Sequence, residues 1–179
     1  MNKNTKKALI IGAIVLLLLI TTPMLGSAAE GLIKKWEADN NVNNYLDAYQ
    51  DEGGVWTIGY GSIYNYDYNR PVQAGDHIDA ATALDWMRKE CSQIIPQIKS
   101  LVKVPINQNQ LDALTSFVYN LGIGSLGSST LLRQLNAGLD KNTVALQFLR
   151  WNKVNINGVY VALAGLTARR QDEAALFIK

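Results

Sequence analysis

Two acidic residues and a threonine stand where they could do chemistry together. Glu37 ends the stretch EGLIKKWE, in which Leu32, Ile33 and Trp36 recur at helical spacing with Lys34 and Lys35 on the other side. Its carboxyl therefore belongs at the end of a short amphipathic helix, beneath a hydrophobic cluster of Ile33 and Trp36. Asp51 lies within DAYQDEGGVWTIGYG, residues 47–61, on a glycine-rich turn open to water, and Thr57 follows six positions later. Two carboxyls in unlike surroundings suit cleavage of a glycosidic bond. The partly desolvated one keeps a proton for the leaving oxygen, and the solvated one stays ionised to handle water or the positive charge at the sugar carbon. A threonine hydroxyl donates and accepts, and can hold the water beside Asp51. Trp56 and Ile58 share one face of their strand, which turns Thr57 to the other face, toward the same cleft as Asp51.

The elements that must bring these groups together follow from the pattern. ADNNVNN, residues 38–44, reads as a polar loop. Tyr45 to about Tyr66 reads as strands and turns, with residues 64–71 an aromatic loop or a third short strand. From Asp79, a good N-cap, the period becomes helical: Leu84, Met87, Cys91, Ile98 and Val102 recur at steps of three and four, with a kink or restart expected at Pro96. Further helices are expected after Asn107, from Thr130 to Asn136 behind a Ser128 or Ser129 cap, from Asn142 to about Trp151, and from Ala168 behind a Thr167 cap. Asn157-Gly158 marks a tight turn. The fold class is α+β, with a small N-terminal β-hairpin lobe and a larger helical lobe joined by the long helix from Asp79. A cleft between such lobes is a usual place for a ligand.

The formal net charge of +2 over 179 residues reflects Lys3, Lys6 and Lys7 near the N-terminus. From Glu30 onward 14 basic residues face 15 acidic ones with no run of one sign, which leaves no electrostatic footprint for nucleic acid. MNKNTKK followed by the 13-residue apolar run ALIIGAIVLLLLI, then Pro23 and the small residues Ser27 and Ala29, has the layout of an export signal. It reads as a signal peptide cut after Ala29, with an uncleaved signal-anchor in the inner membrane as the competing reading. Residues 1–29 are thus set apart from a domain of residues 30–179 that works in the periplasm or outside the cell. The single cysteine, Cys91, allows no intramolecular disulfide and is expected in the core. The only histidine, His77, sits in a Gly-Asp-His-Ile turn with no second histidine or nearby cysteine, so no metal site is expected there.

LIKKWE, AYQDEGGVWTIGYG, FVYNLGIG with SSTLLRQLNAG, and AGLTARRQDEAAL, in that order, resemble the four successive motifs of the phage-type lysozymes, the endolysins of glycoside hydrolase family 24. The resemblance runs from about Glu30 to the C-terminus. It implies a lysozyme-like fold and an endolysin that lyses bacteria by cutting the β-1,4 bond between N-acetylmuramic acid and N-acetylglucosamine in peptidoglycan, with no metal or other cofactor. A monomer is expected. The family's catalytic glutamate, aspartate and threonine fall on Glu37, Asp51 and Thr57, and an inverting mechanism follows from those roles. Tyr119 and Asn120 fall where the family's helix borders the cleft, so they are expected to meet or support substrate. Arg170 shares a helical face with Ala174 and Phe177, and an inward arginine needs a carboxylate. Because an arginine of the matching motif pairs with the catalytic glutamate in the family, Arg170 is expected on Glu37. Two departures stand out. The 14 positions from Glu37 to Asp51 exceed the family's spacing, which places an insertion in residues 38–44, and Ser62 stands where relatives commonly have histidine. The insertion leaves open a cell-wall-binding protein that has lost catalysis, and the carbohydrate chemistry leaves open a related glycan such as chitin.

Overall fold

The computed structural model describes residues 25–51 and 53–179. The basic and apolar stretch expected as a leader lies outside them, in residues 1–24. Among the described residues no helix is long and apolar enough to cross a membrane.

Helix α1 spans Ser27–Ala38, so it starts upstream of the domain boundary expected at residue 30. A helix start leaves N–H groups without intrahelical partners. Here they are met from another element: Gly26 N donates to Asp112 Oδ1 (3.2 Å) and Ala29 N to Asp112 Oδ2 (3.3 Å). An anion at this end also suits the helix dipole. Asp112 is buried and takes a further bond from Gln108 Nε2 at 2.6 Å. The residues expected as the end of the leader therefore form the first turn of the helix that carries Glu37. At its other end α1 closes on Asp39 and Asn40, both in the left-handed region (φ 48° and 60°). The supposed surface insertion then turns inward. Val42–Tyr45 form a 3-10 turn whose Val42 is only 7% exposed in the β-lobe core, a burial that stabilises by roughly 1.5 kcal/mol or more.

The β lobe is built from two short hairpins. Strand β1 (Tyr49–Gln50) pairs antiparallel with β2 (Trp56–Thr57), and β3 (Tyr64–Asn65) with β4 (Arg70–Pro71). Arg70 clamps the loop after β4 by a two-pronged contact with Asp76, at 2.8 and 2.7 Å. That guanidinium holds the Asp76 carboxyl well below the usual carboxylate range. His77 is exposed, with Nδ1 2.7 Å from Asp47 Oδ1.

Helix α2 (Ala80–Leu101) is capped by Asp79, whose side chain accepts from Thr82 N at 2.7 Å. It runs on through the exposed Pro96 as one helix instead of restarting there, losing only the bond that a residue-96 N–H would have made to Ser92. Its first half packs Ala83, Trp86, Met87 and Cys91 into the β-lobe core with Ile33, Ile58, Tyr60 and Ile78, and its second half puts Ile95 and Ile98 into the helical core with Leu114, Phe117, Phe148 and Phe177. The joining role expected of this helix is visible in that split. Cys91 is fully buried, and burial pushes its thiol up to about 12.

The helical lobe continues with α3 (Gln108–Leu121), started by a capping box of Asn107 and Gln110, then α4 (Ile123–Ser128) and α5 (Thr130–Asn136), capped by Ser129. The single helix expected over residues 142–151 is instead α6 (Lys141–Ala145), capped by Asp140, and a separate 3-10 turn, Phe148–Arg150. A hairpin of β5 (Lys153–Ile156) and β6 (Val159–Ala162) follows, turning at Asn157-Gly158 with φ of 49° and 87°. The last helix, α7 (Ala164–Phe177), begins four residues before its expected start. Thr167 lies inside it, donating back to Leu163 O at 2.8 Å, and is not its cap.

Two outcomes are expected. A carboxylate depressed in the folded state contributes stability above the pH where it protonates when unfolded, and that contribution is lost as pH falls toward its folded value. Arg70→Met should thus lower the Tm at pH 7, and the gap to wild type should close as pH drops below about 4, measured by thermal melts across pH. A chain starting at Glu30 should be less stable than one starting at Leu25 by about 2–4 kcal/mol, since Asp112 loses two N–H partners while staying buried; urea titration measures this.

Candidate active site

Glu37 occupies the last turn of α1, with its side chain 19% exposed at the wall between the lobes. Arg169 Nη1 donates to Glu37 Oε1 at 2.6 Å. The other oxygen, Oε2, faces Gly61, where a Cβ would sit only 3.3 Å away. Gly61 also has φ of +90°, so both its conformation and its closeness to the carboxyl call for glycine. One carboxyl oxygen is therefore tied to a guanidinium, and the other is left beside the turn that borders the cleft. Of the hydrophobic cluster expected over Glu37, Ile33 is fully buried. Trp36 is not part of that cover, because its indole is half-buried and donates to Asp172 Oδ2 at 3.0 Å.

The expected partner, Arg170, is one residue off. Arg169 makes the pair with Glu37, while Arg170 is fully buried and donates through Nη2 to Glu173 Oε1 (3.0 Å) and Asn120 Oδ1 (3.0 Å). Arg169 also reaches Glu173 Oε1 through Nε (3.3 Å) and Ser116 O through Nη2 (3.2 Å), and Ser116 Oγ donates to the same Glu173 oxygen at 2.8 Å. Both arginines point inward because α7 packs against both α1 and α3, so adjacent positions on it face protein. Phe117 supplies a ring face 5.2 Å from the Arg170 guanidinium. Burial pulls Arg170 down to about 10 and pushes the Glu173 carboxyl up. Glu173 went unnoticed in the sequence, although its spacing of four from Arg169 and three from Arg170 is the spacing of helical ion pairs.

Across the cleft, β1 and β2 set Tyr49 opposite Thr57 and Gln50 opposite Trp56. Asp51 follows β1 in an exposed turn, as expected, and its Oδ1 accepts from Gly53 N (2.9 Å) and Val55 N (2.8 Å). Thr57 is 5% exposed, and its hydroxyl donates to Val55 O at 3.1 Å. Asp51 and Thr57 are thus fixed by the two sides of one peptide residue, Val55. With its proton committed, Thr57 Oγ1 offers only lone pairs to a further partner. Tyr49 stands within the field of both carboxylates: burial raises its phenol first, and the charges of Tyr45, Glu37 and Asp51 add to that. Nothing in the sequence pattern singled out Tyr49.

Tyr119 and Asn120, expected to meet or support substrate, are both engaged with other protein groups. Asn120 holds Arg170, and Tyr119 Oη lies 2.8 Å from both Tyr60 O and Glu90 Oε2. Among the described residues no cluster of histidine, cysteine and acidic side chains could hold a metal ion.

The two arginines should separate in experiment. Arg169→Leu should cost stability as well, because Glu173 loses one of its two guanidiniums, and it alone should lower kcat in the folded protein, because Glu37 loses its anchor. Arg170→Leu should cost about 3–5 kcal/mol, because Glu173 is left as a poorly compensated buried charge. Urea denaturation and turnover measured on the same preparations would tell them apart.

Residues 42–173 match the family model described as phage lysozyme, a span that begins after α1 and so leaves Glu37 to the geometry. An endolysin of Acyrthosiphon pisum secondary endosymbiont phage 1 is 38% identical over 146 residues, covering 82% of this chain and 92% of that protein. A SAR-endolysin of Escherichia phage N15 is 30% identical over 165 residues, covering 86% of this chain and 88% of that protein. The solved endolysin from Escherichia coli O157:H7 phage FAHEc1 superposes with a TM-score of 0.77 at 34% identity, over 87% of this chain and 93% of that one. With its lysozyme-like fold and this match over most of its length, the chain belongs to the phage lysozyme family.

Proposed function

We propose that this enzyme is a peptidoglycan hydrolase that cuts the β-1,4 bond between N-acetylmuramic acid and N-acetylglucosamine with inversion. The reading is carried by one observation: each catalytic carboxyl has one oxygen held by the protein and one without a donor among the described residues. Glu37 Oε1 is held by Arg169, so the proton of a neutral Glu37 sits on Oε2 and passes to the glycosidic oxygen as the bond to the anomeric carbon breaks. Asp51 Oδ1 is held by two N–H groups, which leaves Oδ2 for water. Thr57 Oγ1 can only accept. A water that donates one hydrogen to Asp51 and the other to Thr57 has its lone pair free to attack the anomeric carbon from the face opposite the leaving group, and its proton goes to Asp51. Support for the substrate comes from the family and from the endolysin relatives.

Residues 1–24 act as a signal-anchor that carries the enzyme through the inner membrane, and residues 25–179 form the catalytic domain. The SAR-endolysin relative supports the first statement. The second rests on the Gly26 and Ala29 bonds to Asp112, which a cut after Ala29 would remove.

Glu37→Gln should lower the release of reducing ends from purified sacculi by about 10²–10⁴-fold, the range for loss of a general acid. Asp51→Asn should fall in the same range, and Thr57→Val by about tenfold, the worth of one hydrogen bond to the water. Sacculi that bind wild-type protein without releasing reducing ends would make it a wall-binding protein. Release from chitin but not from sacculi would move the substrate.

A further inference from the structure

A second glutamate stands directly behind the turn that walls Glu37. Glu90 lies on α2, largely buried, with the hydroxyl groups of Ser62 and Tyr66 from the β lobe and of Tyr119 from α3 facing it, and with Glu37 as its charged neighbour from α1. Tyr119 Oη is 2.8 Å from Glu90 Oε2 and also 2.8 Å from Tyr60 O. A phenol has one proton, and a carbonyl can only accept. Tyr60 is buried, so leaving its carbonyl without a donor would cost about 1–3 kcal/mol. Both contacts are met at once when Tyr119 donates to Tyr60 O and a protonated Glu90 donates to Tyr119 Oη. Burial pushes the Glu90 carboxyl up and the charge of Glu37 adds to that, outweighing the hydroxyls of Ser62, Tyr119 and Tyr66, which pull it down. The Tyr119 phenol is raised well above its ordinary value, chiefly by burial, and stays protonated.

The consequence reaches the catalytic acid through a short path. Tyr60 immediately precedes Gly61, and Gly61 is the residue that faces Glu37 Oε2. We propose that Glu90 is a positioning residue for the Glu37 proton donor: through Tyr119 and the Tyr60 carbonyl it fixes the Gly61 turn against the carboxyl oxygen that delivers the proton. The chain ties three elements, α2, α3 and the β lobe, at the point where the lobes meet. A shift of the turn would change the space beside Glu37 Oε2 without touching the anchored Oε1.

This rests on the reading of Glu37 as general acid, and the experiment keeps the two apart. Turnover is measured on soluble glycan oligomers from sacculi for wild type, Glu90→Met, Glu90→Gln, Tyr119→Phe and the Glu90→Met/Tyr119→Phe double variant, with thermal melts on each. Glu90→Met and Tyr119→Phe should each lower kcat by about ten- to a hundredfold with KM nearly unchanged, the effect of a displaced catalytic group. The double variant should be no worse than either single one. Glu90→Gln should recover most of the lost kcat, because its amide N–H can donate to Tyr119 Oη as the carboxyl O–H does. Should Glu90→Met fail to fold, Tyr119→Phe carries the same expectation. Wild-type kcat in Glu90→Met or Tyr119→Phe, additive losses in the double variant, or a Glu90→Gln as slow as Glu90→Met would each overturn the proposal. An active Glu37→Gln would overturn the underlying reading instead, whatever the Glu90 variants do.

Discussion

The active site depends on a buried exchange of charge between the two ends of the folded chain. Glu37 near the start and Arg169, 132 positions later, meet at 2.6 Å, and behind them Arg170 and Glu173 are sealed from solvent. Two guanidiniums are set against two carboxyls, and buried groups of this kind are tolerated only when paired and hydrogen-bonded. Their remaining polar atoms are met in part by Ser116 and Asn120 of α3. The cluster therefore fastens α1, α3 and α7 together, and the position of the Glu37 carboxyl follows from the packing of the last helix. Such a cluster adds little net stability over a well-packed apolar core, but losing one member is costly. Its value here lies in position: it holds one oxygen of Glu37 and leaves the other toward the cleft.

The facing side of the cleft is held by lighter means. Asp51 and Thr57 lie in a hairpin of two-residue strands, and they are oriented by hydrogen bonds to the N–H and C=O of Val55. An exposed turn keeps the Asp51 carboxylate hydrated, while Glu37 sits mostly out of water. The two environments differ because one carboxyl ends a helix packed on two cores and the other sits on a turn with protein on one side only. In the proposed mechanism that difference gives one fold an acid and a base at once.

Much of this was legible in the sequence, for identifiable reasons. Glu37, Asp51 and Thr57 stand out because helix period, turn chemistry and strand alternation are local signals, and the family resemblance supplies their order. Asp79, Asn107 and Ser129 cap their helices as their residue types require. What escaped depends on tertiary packing. The choice between Arg169 and Arg170 was made on one helical face, but α7 is covered on two sides and buries both. Glu90 and Tyr119 come from distant stretches, and only the folded chain shows one phenol between two acceptors. Val42 looked like part of a polar insertion until the β-lobe core took it in. The start of α1 was misplaced because its cap, Asp112, comes from another helix and carries no local signal.

In the proposed mechanism Glu37 donates its proton from one face while Asp51 and Thr57 aim water from the other. The most direct test is the anomeric configuration of the first product, read by proton NMR within seconds of adding the enzyme to a soluble glycan oligomer. The α-anomer should form first and relax to the mixture by mutarotation, as inversion at a β-linkage requires. Initial formation of the β-anomer would mean that Asp51 attacks the sugar carbon itself, and would contradict the assignment of water to Asp51 and Thr57.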